Sequence, residues 1–157
     1  MAEPRLDELT TALDTALRVL RRGLDTDQDN TLALVQVLDV LLAWPQGVVR
    51  LPDRSLHPAP PMPPYDVVRQ MVQSRFPDYG DYDVSVYLRE LTGQPAVGRG
   101  NAIEDLCVIC RELFVIRWRL DNTSLLDALW HLEQGLNSGW GQHVRRLRAY
   151  WRSQGLT

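Results

Sequence analysis

The last third of the chain, residues 103–151, constrains the fold more than any other segment. Its apolar residues recur every three or four positions, which is the spacing of one face of an α-helix. A short polar turn at residues 121–124 separates two such patterns. Because the second pattern keeps its phase past Gly139, it predicts one long helix over 124–152, bent near that glycine. Helices joined by so short a turn are neighbours, so we expect an antiparallel pair of 101–120 with 124–152.

The first half of the chain predicts three further helices. Leucines at three-four spacing indicate an amphipathic helix over 5–22, which Gly23 can close. Residues 31–43 are apolar around most of their surface, which is typical of a buried central helix. A strand is the alternative there because valine is frequent, but the length of the run favours a helix. Either Asp29 or Asn30 is expected to cap it.

A proline-rich connection at 52–64 leads to the third of these helices. Six prolines in that stretch indicate an extended surface segment and not a core element. A short helix is then predicted over 65–75. Its expected inward-facing residues are Val67, Val68, Met71 and Val72.

Residues 76–100 are broken up by glycine and proline. Apolar residues alternate at Val84, Val86 and Leu88, which indicates one short strand, but no second strand is evident and a sheet is not expected. The sequence therefore predicts an all-α fold. We expect about five helices in a single bundle-like domain over 1–157, built around the 31–43 helix and the long C-terminal helix.

Charge and composition narrow the classes of partner. The formal net charge of -3 does not favour binding to nucleic acid or to an anionic membrane. Residues 1–98 contain 14 acidic and 9 basic groups, a net of -5, and residues 99–157 contain 8 basic and 6 acidic groups, a net of +2. The N-terminus lacks a secretory signal pattern and no apolar run approaches a membrane span. The predicted location is the cytoplasm.

Short motifs in the last 64 residues look like a bacterial family of small domains of unknown function. They are Gln94-Pro95-Ala96-Val97-Gly98, Glu104-Asp105-Leu106, Asp127-Ala128-Leu129-Trp130 and Trp140-Gly141-Gln142-His143. The resemblance implies a helical fold and a bacterial cytosolic protein, but no established activity. Because relatives often lie beside DNA-repair genes, it also implies an accessory role in DNA repair as one alternative. Family members typically read His-Trp-Gly-x-His, and Gly139 replaces the first histidine here, so a two-histidine site does not carry over.

His143 is the strongest candidate for chemistry, because it interrupts the apolar stripe between Trp140 and Leu147. It could be a buried ligand or general base, or a core histidine bonded to a backbone or carboxylate partner. The second interpretation is favoured, since no other histidine stands at ligand spacing. Three carboxylates could assist it and would make the chain a small hydrolase or metal-dependent enzyme. These are Glu104, Asp105 and Asp127.

Two other motifs have the spelling of metal sites but lack the ligands. Cys107 and Cys110 have Cys-x-x-Cys spacing, yet both fall on the apolar face of one helix, where core packing is expected. Asp25, Asp27 and Asp29 spell the first half of a calcium loop, but the turn glycine and the bidentate glutamate are missing. We therefore predict no metal and no cofactor.

The C-terminal helix end combines cations with aromatic rings. Four arginines there could form a solvated helix end, or a contact surface with Tyr150 or Trp151 supplying flat apolar area. Trp151 continues the apolar stripe and is expected to be buried. The predicted function is thus a non-catalytic binding or accessory protein whose partner is another protein. The proposed binding residues are Arg145, Arg146, Arg148, Tyr150 and Arg152.

Overall fold

The computed structural model describes residues 3–44, 51–85 and 97–155, which form six helices and one small sheet. The predicted all-α class is confirmed, since helices make up most of the chain. The elements in chain order are α1 (Glu3–Arg22), α2 (Asp27–Ala43), α3 (Tyr65–Arg75), β1 (Asp81–Ser85), β2 (Val97–Asn101), α4 (Ala102–Asn122), α5 (Leu125–Ser138) and α6 (Gly141–Ser153).

The boundary between α1 and α2 is formed by Gly23 and Thr26. Gly23 has φ +71° and its N–H bonds to the carbonyl of Val19, which ends α1 as predicted. The N-cap of α2 is Thr26, whose hydroxyl accepts from the N–H of Asp29 at 3.1 Å. The predicted cap was wrong. Asn30 lies inside the helix and its side chain instead accepts from the N–H of Leu24 at 2.7 Å.

The central helix is α4 and not α2, which corrects the prediction for residues 31–43. Helix α4 packs against α1, α3, α5 and α6 and contributes ten buried residues. Helix α2 packs on α1 and α6 and leaves Leu32 44% exposed. Helix α2 has more apolar residues than its one buried face can cover, and some of them are therefore exposed. The apolar content of residues 31–43 alone thus overestimated the burial of this helix.

The predicted long C-terminal helix is two helices, because the chain breaks between Ser138 and Gly141. A Cβ on Gly141 would overlap the carbonyl oxygen of Leu136, and one on Gly135 would overlap the indole of Trp140. The two glycines therefore permit a close approach that any side chain would prevent. Both helices pack on α4, so the predicted contact between residues 101–120 and 124–152 is confirmed.

Strands β1 and β2 form an antiparallel pair with Asp81 opposite Asn101. The second strand was missed because its sequence, Val-Gly-Arg-Gly-Asn, has no apolar alternation. Gly100 is required there, since a Cβ would overlap the ring of Tyr82. Strand β2 leads directly into α4, whose N-cap Asn101 accepts from the N–H of Glu104 at 3.0 Å. The other two apolar residues of the predicted strand, at 86 and 88, lie outside the described residues.

Helix α3 has the predicted bounds. Val68 and Val72 are fully buried and Met71 packs at the edge of the core. Val67 is 50% exposed, so its predicted inward orientation was wrong. The face of this short helix that meets α1 and α4 is narrow and covers only residues spaced by about four.

Candidate functional site

A buried carboxylate joins three parts of the fold at Asp105. Its Oδ1 lies 2.7 Å from Nδ1 of His143, and its Oδ2 accepts a hydrogen bond from the Tyr82 hydroxyl. Asp105 is only 3% exposed, whereas the side chain of His143 is 24% exposed. Asp105 lies in the first turn of α4, His143 in the first turn of α6, and Tyr82 on β1. We call these three residues the Asp105 site.

The Asp105 site can hold the imidazole of His143 in one tautomer. When Nδ1–H donates to the carboxylate, Nε2 is left as a proton acceptor. A carboxylate-oriented imidazole is the arrangement of a general base. Among the described residues, however, His143 forms no hydrogen bond to a serine, threonine or cysteine side chain. A reaction at this site would therefore need water or a substrate group as the nucleophile.

The other two predicted carboxylates are not part of this site. Glu104 is exposed at the start of α4, and the described structure places it in no ion pair. Asp127 is at the beginning of α5, where its Oδ2 accepts from Arg119 Nη1 at 2.8 Å and from Thr123 Oγ1 at 2.7 Å. His131 Nε2 lies 3.4 Å from its other oxygen. Only Asp105 of the three candidates contacts His143.

The surroundings of Asp127 shift two pKa values. Burial acts to raise the pKa of Asp127, but hydrogen bonds from Thr123 and Arg119 outweigh it and hold that pKa below its ordinary value. Burial and the Arg119 cation lower the pKa of His131, against the opposing effect of Asp127. Charge pairing here stabilises the α4–α5 junction, which explains Asp127 without a catalytic role.

A second polar cluster ties the proline-rich connection to the start of α5. Asp53 Oδ2 accepts from the Ser124 hydroxyl and lies 2.8 Å from His57 Nε2. Hydrogen bonds from Ser124, His57 and the N–H of Ser55 hold the pKa of Asp53 well below its ordinary value. The carboxylate here bridges serine and histidine, whereas a catalytic triad needs histidine in the middle. Because Ser124 also caps α5, we interpret the cluster as structural.

The arginines of α6 divide into paired and unpaired groups. Arg148 Nε lies 2.9 Å from Asp39 Oδ1 on α2, so this arginine links two helices. Arg145 and Arg152 are exposed and Arg146 is half-buried. Among the described residues none of these three pairs with a carboxylate, although Arg145 donates to the carbonyl of Leu136 at 3.3 Å. We call Arg145, Arg146 and Arg152 the arginine surface.

Neither aromatic residue near the arginine surface is available to a partner. Tyr150 is 6% exposed, and its hydroxyl accepts from the N–H of Gly80 at 3.3 Å. Trp151 is fully buried, as predicted, and donates from Nε1 to the hydroxyl of Tyr79. The expected contribution of Tyr150 to a contact surface is therefore corrected. It lies three residues after Leu147 and faces the same core.

The two cysteines behave as core residues. Cys107 and Cys110 are both free and fully buried in α4. Burial raises the pKa of the Cys107 thiol to about 11 and raises that of Cys110 as well. In the part of the chain that the structure describes, no group of three or more histidine, cysteine, aspartate or glutamate side chains is arranged to hold a metal ion. The predicted core packing is confirmed.

The sequence offered Asp105 as one of three possible carboxylate partners of His143 but could not select it, and it did not indicate Tyr82. The contact between Asp105 and His143 depends on how α4 packs against α6. The periodicity of apolar residues within each helix does not predict that packing. Tyr82 lies on β1, within the stretch of residues 76–100 that glycine and proline break up. Its only sequence signal was an aromatic residue beside a strand of alternating apolar residues.

Comparison with known proteins gives no relative for this chain. No protein-family model, no curated protein and no solved structure matches it. The resemblance to a bacterial family therefore stays a prediction. None of the described helices combines the length and apolar character needed to cross a membrane.

Proposed function

We propose that this chain is a non-catalytic binding protein that contacts an acidic partner protein through the arginine surface of α6. The observation that carries the proposal is the charge of that helix. Residues 141–153 contain four arginines and no acidic residue, whereas α1, α3 and α4 each mix both signs. Arginine suits such a surface because its planar guanidinium binds carboxylates with two parallel hydrogen bonds.

The absence of acidic residues from α6 supports a contact surface over a solvated helix end. Elsewhere, arginines such as Arg117 and Arg119 are engaged by carboxylates of the same chain, and exposed unpaired ones such as Arg18 and Arg22 share their helix with acidic residues. The arginine surface has exposed cations without such partners, and it continues to the helix C-terminus, where Arg152 also complements the dipole. Because Tyr150 is buried, the attraction is mainly electrostatic and should weaken as salt is added.

An acidic protein is preferred over nucleic acid as the partner. The whole chain has a net charge of -3, and 14 of its 20 acidic residues precede residue 99, which would repel a phosphate backbone that extends past α6. A cytoplasmic location is a further part of the proposal that only the sequence supports, and an accessory role in DNA repair is an alternative that rests on the family resemblance alone. Nuclease treatment separates a direct protein contact from one made through DNA.

The test is capture of partners from an extract of the source organism with the tagged full chain. We expect the triple reversal of Arg145, Arg146 and Arg152 to glutamate to abolish capture. The control reverses Arg18, Arg22 and Arg54, which are also exposed and have no carboxylate partner in the described structure. Both variants change the net charge by the same amount. Equal capture by the two variants would contradict the proposal, and loss of capture on nuclease treatment would show that DNA carries the contact.

The Asp105 site supports a second candidate, a small hydrolase that uses His143 as general base. The supporting observation is the 2.7 Å contact between Asp105 Oδ1 and His143 Nδ1 beside a partly exposed imidazole. His143→Gln should then abolish hydrolysis of activated esters, while Tyr82→Phe should only reduce it. No turnover by the unmodified protein above the rate of His143→Gln would rule this candidate out.

A further inference from the structure

A cavity of about 320 Å³ between α2, the α3–β1 connection and the end of α6 combines aromatic rings with carboxylates. Phe76, Tyr79 and Tyr150 line it, with ring centroids 4.9 Å apart for Phe76–Tyr79 and 5.6 Å apart for Tyr79–Tyr150. Asp27 and Asp78 complete the lining on the solvent side. The volume falls in the range that small-molecule sites occupy.

The charged side chains that line this cavity are of one sign. Asp27 and Asp78 are both exposed, and within the described structure neither forms a salt bridge. No arginine is among the described residues that line the cavity. The C-terminal end of α6 also reaches the cavity through Gln154, and its carbonyl groups add negative potential. The N-terminus of α2 opposes this, but Asp27 lies in its first turn and offsets it.

Hydrogen bonds hold the ring of Tyr79 in position in the absence of a ligand. The Tyr79 hydroxyl accepts from Trp151 Nε1 at 2.5 Å and shares a hydrogen bond with Thr31 Oγ1 at 2.9 Å. Burial raises the pKa of Tyr79 to about 12, so its hydroxyl stays neutral at physiological pH. Tyr79 is also the most exposed of the three rings. A ligand would therefore rest chiefly against Tyr79.

We infer that this cavity binds a small organic cation, such as a quaternary ammonium or protonated amine. The face of an aromatic ring attracts a cation through its quadrupole, and the two carboxylates add direct attraction. A neutral apolar ligand would gain only the ring contact, and an anion would be repelled. Because the rings pack on one another, the cation lies over the ring surface that faces the cavity and not between two rings.

The probe is choline, and its control is 3,3-dimethyl-1-butanol, the neutral molecule of the same shape. Binding to the full chain is followed by chemical shifts of the backbone amides of Asp78 and Gln154. We expect choline to shift both resonances saturably and the neutral alcohol to do so far more weakly. Equal binding of the two would show an apolar site, and no binding of choline at millimolar concentration would show no site. Either result overturns the inference.

The matched variants neutralise two carboxylates each. Asp27→Asn with Asp78→Asn should weaken choline binding by about three- to tenfold, the range expected for loss of two partly screened ion pairs. Asp25→Asn with Asp29→Asn changes the net charge equally and lies in the same turn region, but neither residue lines the cavity. That pair should change binding by less than about twofold. An equal loss of choline affinity in both double variants would mean that the overall negative charge of the region attracts choline. That result would contradict a defined site.

A third arm separates two sources of the same cation. A short peptide carrying one trimethyllysine presents the quaternary ammonium on a partner chain, and choline presents it free. Tighter binding of the peptide assigns the cavity to a modified side chain, whereas binding of choline at least as tight assigns it to a free metabolite. Binding of neither overturns the inference. None of these outcomes bears on the arginine surface, which lies on other residues of α6.

Discussion

Single residues fix the stability of the core, and Trp151 is the clearest case. It is fully buried and donates a hydrogen bond to Tyr79. Trp151→Ala should lower the free energy of unfolding by about 3–5 kcal/mol, because it removes a large buried volume. Trp151→Phe should lower it by about 1–2 kcal/mol, since most of the volume stays and one hydrogen bond is lost.

Urea denaturation followed by circular dichroism measures both changes. Leu126→Ala is the control, because that leucine is 40% exposed and its truncation should change stability by only about 0.5 kcal/mol. A loss for Trp151→Ala no larger than that of the control would contradict the packing of α6.

Asp127 also makes the free energy of unfolding depend on pH. In the folded chain the pKa of Asp127 lies below its ordinary value of 3.8. The ionised carboxylate therefore contributes its full stabilisation of the fold at pH values above 3.8. The stabilisation is lost as pH falls through the folded pKa. The difference in unfolding free energy between the unmodified chain and Asp127→Asn should thus be largest near neutral pH and shrink below about pH 4. Asp66→Asn, an exposed residue, serves as control. A difference that does not change with pH would contradict the assignment.

At the scale of elements, the break between α5 and α6 depends on glycine. A Cβ at Gly141 would overlap the carbonyl oxygen of Leu136, whereas a Cβ at Gly80 would meet nothing within 4 Å. Gly141→Ala should lower the free energy of unfolding by about 1–3 kcal/mol, and Gly80→Ala by at most about 0.5 kcal/mol. Thermal unfolding of the two variants measures this. Equal effects would mean that α5 and α6 can merge into the continuous helix that the sequence suggests.

Some features of the helices and strands could be predicted from sequence periodicity, and others could not. The bounds of α3, the end of α1 at Gly23 and the burial of Trp151 and both cysteines follow from spacing and turn chemistry. The break near Gly139 does not, because the apolar stripe keeps its phase across the interruption between the two helices. Strand β2 is invisible for a different reason, since its alternate glycines carry no apolar signal.

The candidate sites required contacts between elements far apart in sequence. Asp105 and His143 meet only because α6 packs on α4, and Arg148 is paired only because α2 presents Asp39 beside it. The sequence identified all four arginines but could not divide them into paired and unpaired groups. It also could not show that Tyr150 contacts Tyr79 and Tyr82 in the core.

For the whole molecule, this division changes which arginines test the proposed function. Arg148→Glu places a second negative charge beside Asp39 and should weaken the contact between α6 and α2. Arg145→Glu has no carboxylate neighbour in the described structure and should leave the melting temperature nearly unchanged, since exposed charges contribute about 0–1 kcal/mol. Differential scanning calorimetry compares the two. A larger loss for Arg145→Glu would reverse our assignment of the paired cation.

Site-specific crosslinking from the middle of the arginine surface tests the central claim most directly. Ala149 is exposed and lies within one helical turn of Arg145, Arg146 and Arg152. Because both native cysteines are buried, Ala149→Cys can be labelled selectively with a photocrosslinker. Gln73→Cys on α3 provides an exposed control position. We expect the captured partner to crosslink from position 149 and not from 73, and crosslinking from 73 alone or equally from both would contradict binding through α6.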